Sequence, residues 1–104
     1  MPTGRIKPKY NATPTAREKG FHLWVMESFP CACGCGGVSE VVHHPLKRHP
    51  MQRWRRDHEF VVPMTAFCHM ALHGAGSEDA FQPGWDYALK AEVYRARGYE
   101  AGQL

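Results

Sequence analysis

No run of apolar residues in this 104-residue sequence is long enough to cross a bilayer, and residues 1–10 lack the apolar centre of a secretory signal. The expectation is a soluble protein of the cytoplasm, or of the host cytoplasm if phage-encoded, with no membrane partner. No internal repeat or low-complexity tract occurs, which argues against a solenoid and against a long disordered region. A strong excess of either charge is missing too, the formal net charge being +3. The chain is also short for two separately packed cores, so one compact unit is the default.

What is present points to a small core held by something besides hydrophobic burial. The hydrophobic fraction of 43% supports folding, but eight prolines and ten glycines imply a loop-rich structure. Small cores of this kind are often stapled by a metal. Four cysteines are available, and Cys31, Cys33 and Cys35 alternate with other residues too tightly to bridge comfortably. In a reducing compartment such thiols are better read as metal ligands than as disulfides.

Along the chain, residues 1–14 read as a flexible basic tail and residues 15–104 as one domain. Thr15 followed by Glu18 forms a capping box, and Phe21, Trp24 and Val25 then recur at helical spacing, giving a helix over 16–27. Pro30 closes that segment, and the Cys/Gly cluster through Gly37 reads as a zinc knuckle. A β-branched strand is expected over 38–44, ended by Pro45, with a partner over 60–62 stopped by Pro63. Thr65 can cap a helix over 66–73 that Gly74 and Gly76 break. A last helix over 87–97, capped by Asp86 and ended by Gly98, would carry Leu89 and Val93 on its apolar face as scaffold.

Two constellations carry chemistry. His69 and His73 stand four apart on the expected helix, where successive turns let both imidazoles meet one metal. Histidines at this spacing also occur as ordinary core or surface residues, so context decides. That context is His43-His44 at a strand end, where neighbouring side chains point to opposite faces and should have different tasks. His43 turned towards the helix would complete a three-histidine site with open coordination positions. His44 would then face the attacking water as a neutral general base. Cys68 lies about 100° round the helix from His69, so it can face the cysteine cluster while His69 faces the strands.

Between the expected strands lies a basic stretch of roughly a dozen residues, longer than ordinary hairpin loops. Lys47, Arg48, Arg53, Arg55 and Arg56 in it suit phosphate contacts, and the alternative is a solvated loop. Trp54 within it is read as a packing anchor.

This arrangement resembles the HNH (ββα-metal) nucleases, particularly the small phage type that includes the recombination-enhancement nuclease. The resemblance covers residues 23–89 and rests on Phe29-Pro30-Cys31, Val42-His43-His44, Val61-Val62-Pro63, and Cys68-His69 followed by His73. Gly76, Glu78, Ala80 and Phe81 resemble the family's next segment. It implies an α+β fold, a small zinc-stapled ββα-metal (HNH/His-Me finger) core with flanking helices. It also implies hydrolysis of DNA phosphodiester bonds, with His44 as general base and His43, His69 and His73 holding a catalytic Mg, Mn or Zn ion.

Two departures from the family pattern stand out. Thr65 occupies the place where a cysteine or comparable ligand usually starts the helix, but Cys31, Cys33 and Cys35 offer three thiolates where the family offers two. With Cys68 they make four ligands for a structural zinc. The middle Asn of the family name has no counterpart, the nearest residues being Asp57 and His58. DNA is the expected partner, with a recombinase filament as a further one. The rival readings are a non-catalytic zinc module that binds DNA or a recombination protein, and an adaptor in which the histidines close a second structural zinc.

Overall fold

A computed structural model describes residues 13–53 and 56–104 of the chain. Residues 1–12 of the expected tail, together with Trp54 and Arg55, lie outside the described residues.

The first helix, α1 (Ala16–Ser28), begins at the capping box read from the sequence. The Glu18 amide donates to Thr15 Oγ1 at 3.1 Å, and the Thr15 amide donates to Glu18 Oε1 at 2.8 Å. Both bonds satisfy donors that a helix start leaves without partners. Glu18, Phe21, His22 and Val25 form its buried stripe, the i, i+3, i+4, i+7 spacing of one helix face. His22 therefore faces inwards.

Two short strands follow, β1 (Val41–His43) and β2 (Val62–Met64), paired antiparallel with Val41 opposite Met64, Val42 opposite Pro63 and His43 opposite Val62. Both differ from expectation. The first covers only Val41–His43 of the expected 38–44 run, and Val38 at the start of that run is 80% exposed. The second is displaced towards the C-terminus and contains Pro63, which tolerates its place because a two-stranded sheet has only edges.

Successive residues at β2 divide the core by their alternation. Val62 and Met64 pack with Phe60, Leu72, Tyr87 and Ala91 in one cluster, whereas Val61 packs with Phe21, Val25 and Leu104 in another. The sheet thus carries α1 against one side. On the other lie α2 (Ala66–Ala75) and α4 (Tyr87–Glu100).

Thr65 Oγ1 caps α2 by accepting from the Cys68 amide at 3.0 Å, and Gly76 ends it in the left-handed region at φ 90°. A one-turn helix absent from the sequence reading, α3 (Glu78–Phe81), follows directly and packs on α2.

Asp86 caps α4 as expected, but the helix runs through Gly98 to Glu100. Gly98 is there because the helix crosses Phe21: a Cβ at this position would meet Phe21 Cε1 at 2.5 Å. Close packing, not chain termination, accounts for this glycine. Leu89 and Val93 are likewise not the scaffold face, each being 55% exposed, and α4 instead buries Tyr87, Ala88, Ala91 and Gly98. The result is a small α+β protein with, among the described residues, a two-stranded sheet and four helices. None of those helices is long and apolar enough to cross a membrane.

Candidate metal centre

The knuckle, the end of β2 and the start of α2 meet at four free thiols. Cys31 Sγ lies 3.4 Å from Cys33 Sγ, Cys33 Sγ 3.5 Å from Cys68 Sγ, and Cys35 Sγ 3.9 Å from Cys68 Sγ. A tetrahedral zinc with bonds of about 2.3 Å to sulfur needs sulfurs about 3.8 Å apart, so this spacing suits a metal such as zinc. Gly34 and Gly36, at φ 88° and 81°, give the knuckle the left-handed turns that bring three alternate side chains to one point. The Thr65 and Gly37 amides donate to Cys31 and Cys35 Sγ, each at 3.4 Å, and the Ala32 amide ties the knuckle to Pro63 O at 2.7 Å. Thr65 thus contributes an amide to the cluster where a ligand was missing from the sequence pattern.

Proton affinities in the cluster are uneven. Burial would raise Cys31, but hydrogen bonds from the Cys33 and Thr65 backbone outweigh it and hold that thiol down to about 7. Burial and its sulfur neighbours push Cys33 up instead. Thiols this close cannot all carry charge by themselves, and a divalent cation is what lets them do so.

The second group straddles β1 and α2. His43 is 1% exposed, and its ring lies 5.2 Å from that of His69 and 5.5 Å from that of His73. His69 and His73 Nε2 are 3.1 Å apart across one helical turn, and His73 is exposed. One nitrogen from each of the three lies within 4.8 Å of the others. This is a site with a buried floor and an open rim.

Glu78, at the first turn of α3, organises that floor and was not assigned to the site from sequence. Its Oε2 accepts from His43 Nε2 and from the Leu46 amide, both at 2.7 Å. Burial opposes its charge, but these hydrogen bonds prevail and hold the carboxyl below its usual value. With Nε2–H committed to Glu78, His43 presents the lone pair of Nδ1. That atom is the buried side-chain nitrogen left without a hydrogen-bond partner among the described residues. A buried acceptor is rarely left this way unless something else fills its place.

His44 turns to the opposite side, towards α1 and the basic loop. Its Nε2 lies 2.8 Å from His58 Nδ1, and its ring sits edge-on to His22 at 6.0 Å. Burial first, then the positive charge of Arg56, and then His58, His22 and His43 push its pKa down to about 3, so the imidazole is neutral. His44 shares a cleft of about 390 Å³ with His43, His69, His73, Arg56 and Asp57.

The basic loop divides by residue. Arg56 lines the cleft, whereas Lys47 Nζ stands 3.7 Å from Asp86 and Arg53 4.0 Å from Glu59, both cations being mostly exposed. Arg48 donates to Gln52 O at 3.1 Å. Asp57 is buried and braces the loop from within, accepting from the Arg53 amide at 3.3 Å and the Glu59 amide at 3.1 Å. His22 and His58 also belong to this neighbourhood and had no assigned task in the sequence reading.

No protein-family model, curated protein or solved structure matches this chain.

Proposed function

We propose that the protein is a metal-dependent DNA endonuclease of the HNH (ββα-metal) type, hydrolysing phosphodiester bonds. The observation that carries this reading is the partnerless, buried His43 Nδ1 beside His69 and His73, with His44 on the other side of the same cleft. A structural site would be closed by four protein ligands, whereas three histidines leave room for water and a phosphate oxygen.

His43, His69 and His73 would hold the ion, and an all-imidazole set suits zinc-like transition metals better than magnesium. Such an ion supplies positive charge where the attacked phosphate and departing oxygen accumulate negative charge. His44 lines the cleft as the proton acceptor for the attacking water, and the negative charge of a bound phosphate there would raise its proton affinity from the low value of the empty cleft. Arg56 places a guanidinium where a phosphate oxygen would lie, an interaction its planar fork serves well. The Cys31, Cys33, Cys35 and Cys68 cluster, with zinc, holds the knuckle on β2 and α2, and so fixes the helix that carries His69 and His73.

The test is nicking of supercoiled plasmid with Mg²⁺, Mn²⁺ or Zn²⁺, with and without a recombinase filament on the DNA. Cleavage that needs a divalent ion and stops with chelator is the expected result. Failure with every ion, in both settings, would favour the non-catalytic zinc module.

Two further outcomes follow from the same geometry. Glu78→Gln should weaken binding of the exchangeable ion about 10- to 100-fold, the usual range for a residue that orients a histidine ligand. Calorimetric titration of protein whose cysteine site is already filled measures it, and unchanged affinity would remove Glu78 from the site. Changing Arg48, Arg53 and Arg56 to alanine should weaken DNA binding and flatten its salt dependence, by about 0.9 in slope for each phosphate that is no longer neutralised. An unaltered slope would place the DNA elsewhere.

A further inference from the structure

The approach of His44 to His58 implies more than proximity. Two imidazole nitrogens 2.8 Å apart share one proton between them, so one ring donates and the other accepts. The direction matters because it fixes the state of the other nitrogen of His44. If His44 Nε2–H donates, Nδ1 is a bare lone pair able to take a proton. If His58 donates instead, His44 Nδ1 carries hydrogen and cannot.

We propose that His58 is the positioning residue of the cleavage site, its Nδ1 accepting from His44 Nε2–H and so leaving His44 Nδ1 as the proton acceptor. This rests on the reading of His44 as general base.

The surroundings of His58 suit such a task. The side chain is 2% exposed, and its own carbonyl accepts from His22 Nε2 at 2.7 Å. A carbonyl only accepts, so His22 must be the donor there, and α1 thereby anchors the backbone of His58 from the buried face of the helix. On the other side Asp57 ties the loop to itself through the Arg53 and Glu59 amides, and its carbonyl accepts from the Phe60 amide at 3.0 Å. The backbone at His58 is thus held by the buried face of α1 on one side and a braced turn on the other. The two rings meet edge-on, with centroids 4.8 Å apart. His44 lines the cleft. A reacting water therefore meets His44, and His58 acts through it.

A competing use of the same residues is a further metal site, because nitrogens of His22, His44 and His58 lie within 4.8 Å of one another. The charge of Arg56 acts on His44 and would oppose a second cation there. The His22 Nε2–H bond to a carbonyl still leaves Nδ1 to serve as a ligand, so Co²⁺ binding by the variants decides between the two uses.

The experiment combines a spectroscopic readout with kinetics on the full chain. Nitrogen-15 correlation spectra of the histidine side chains in the wild-type protein should show His44 protonated at Nε2 and bare at Nδ1. His58→Ala should scramble that tautomer and lower kcat about 10- to 100-fold with KM nearly unchanged, the scale of an orienting interaction. His58→Asn, whose side-chain oxygen can accept in place of Nδ1, should restore both. A wild-type His44 protonated at Nδ1, an Ala variant with full kcat, or an Asn variant as slow as the Ala variant would each overturn the proposal. So would loss of an equivalent of bound Co²⁺ on changing His58, which would mark a metal site instead. The tautomer is read without DNA, so a wild-type protein that never cleaves counts against the nuclease reading and leaves the His44–His58 assignment to be judged by the spectra.

Discussion

Serine in place of Cys68 should abolish the folded state of the protein, with loss of bound zinc and of the cooperative melting transition. Cys68 is the one thiol of the four outside the knuckle, so through it a shared metal would tie the knuckle to α2. Zinc binding at structural sites of small domains is worth about 10–16 kcal/mol, which equals or exceeds the 5–15 kcal/mol by which a typical domain is stable. The core has little to offset that loss, since Cys31 and Ala32 are themselves part of its larger cluster and a released knuckle would withdraw them. Capping supplies a control at the same place. Thr65→Ala removes the acceptor for the Cys68 amide and should cost only about 0.5–2 kcal/mol, leaving zinc bound. Cys35→Ser should fall between the two, because Cys35 is exposed and, at 3.9 Å, stands farther from Cys68 than Cys33 does. Metal analysis and thermal melting of the three variants measure the order. A Cys68→Ser protein that melts like the wild type would remove the four-cysteine site from the account of stability.

Features with local causes were legible in the sequence. The Thr15–Glu18 capping box, the Thr65 and Asp86 caps, and the tight spacing of Cys31, Cys33 and Cys35 all depend on residues a few positions apart, and all take the predicted form. The opposed directions of His43 and His44 follow from the alternation of extended backbone, and His69 and His73 meet because a helix brings every fourth residue to one side. What the sequence hid is tertiary. Glu78 reaches His43 across 35 positions and His22 reaches the His58 carbonyl across 36, and no periodicity signals either pairing. Gly98 looks like a helix end by composition and is a helix crossing by packing. Leu89 and Val93 look like a core face, but the side of α4 that meets β2 is built around Tyr87, Ala88 and Ala91. Local chemistry therefore indicated which side chains could act, whereas the residues that hold them in place emerged from the fold.

The site itself is tested most sharply by separating His44 from its neighbours. His44→Ala should lower cleavage by about 10²- to 10⁴-fold, the range for removing a general base, while both metals and DNA stay bound. Taking away one partner of the buried His58 ring costs about 1–3 kcal/mol, a shift in melting far smaller than that expected for Cys68→Ser. His69→Ala should behave differently. The three-histidine set falls to two, His43 Nδ1 is left buried without its ion, and the exchangeable metal should be lost together with activity. The cysteine-bound zinc should persist in both variants, since the thiols meet one another without passing through either histidine. Plasmid nicking measured beside calorimetric metal binding distinguishes the two cases. A His44→Ala protein that cleaves at the wild-type rate would end its assignment as the base, and a His69→Ala protein that still binds the second ion would end the three-histidine site. A variant of His44 that lost the ion as well would make His44 a ligand, and the water would then have to be activated by some other group in the cleft.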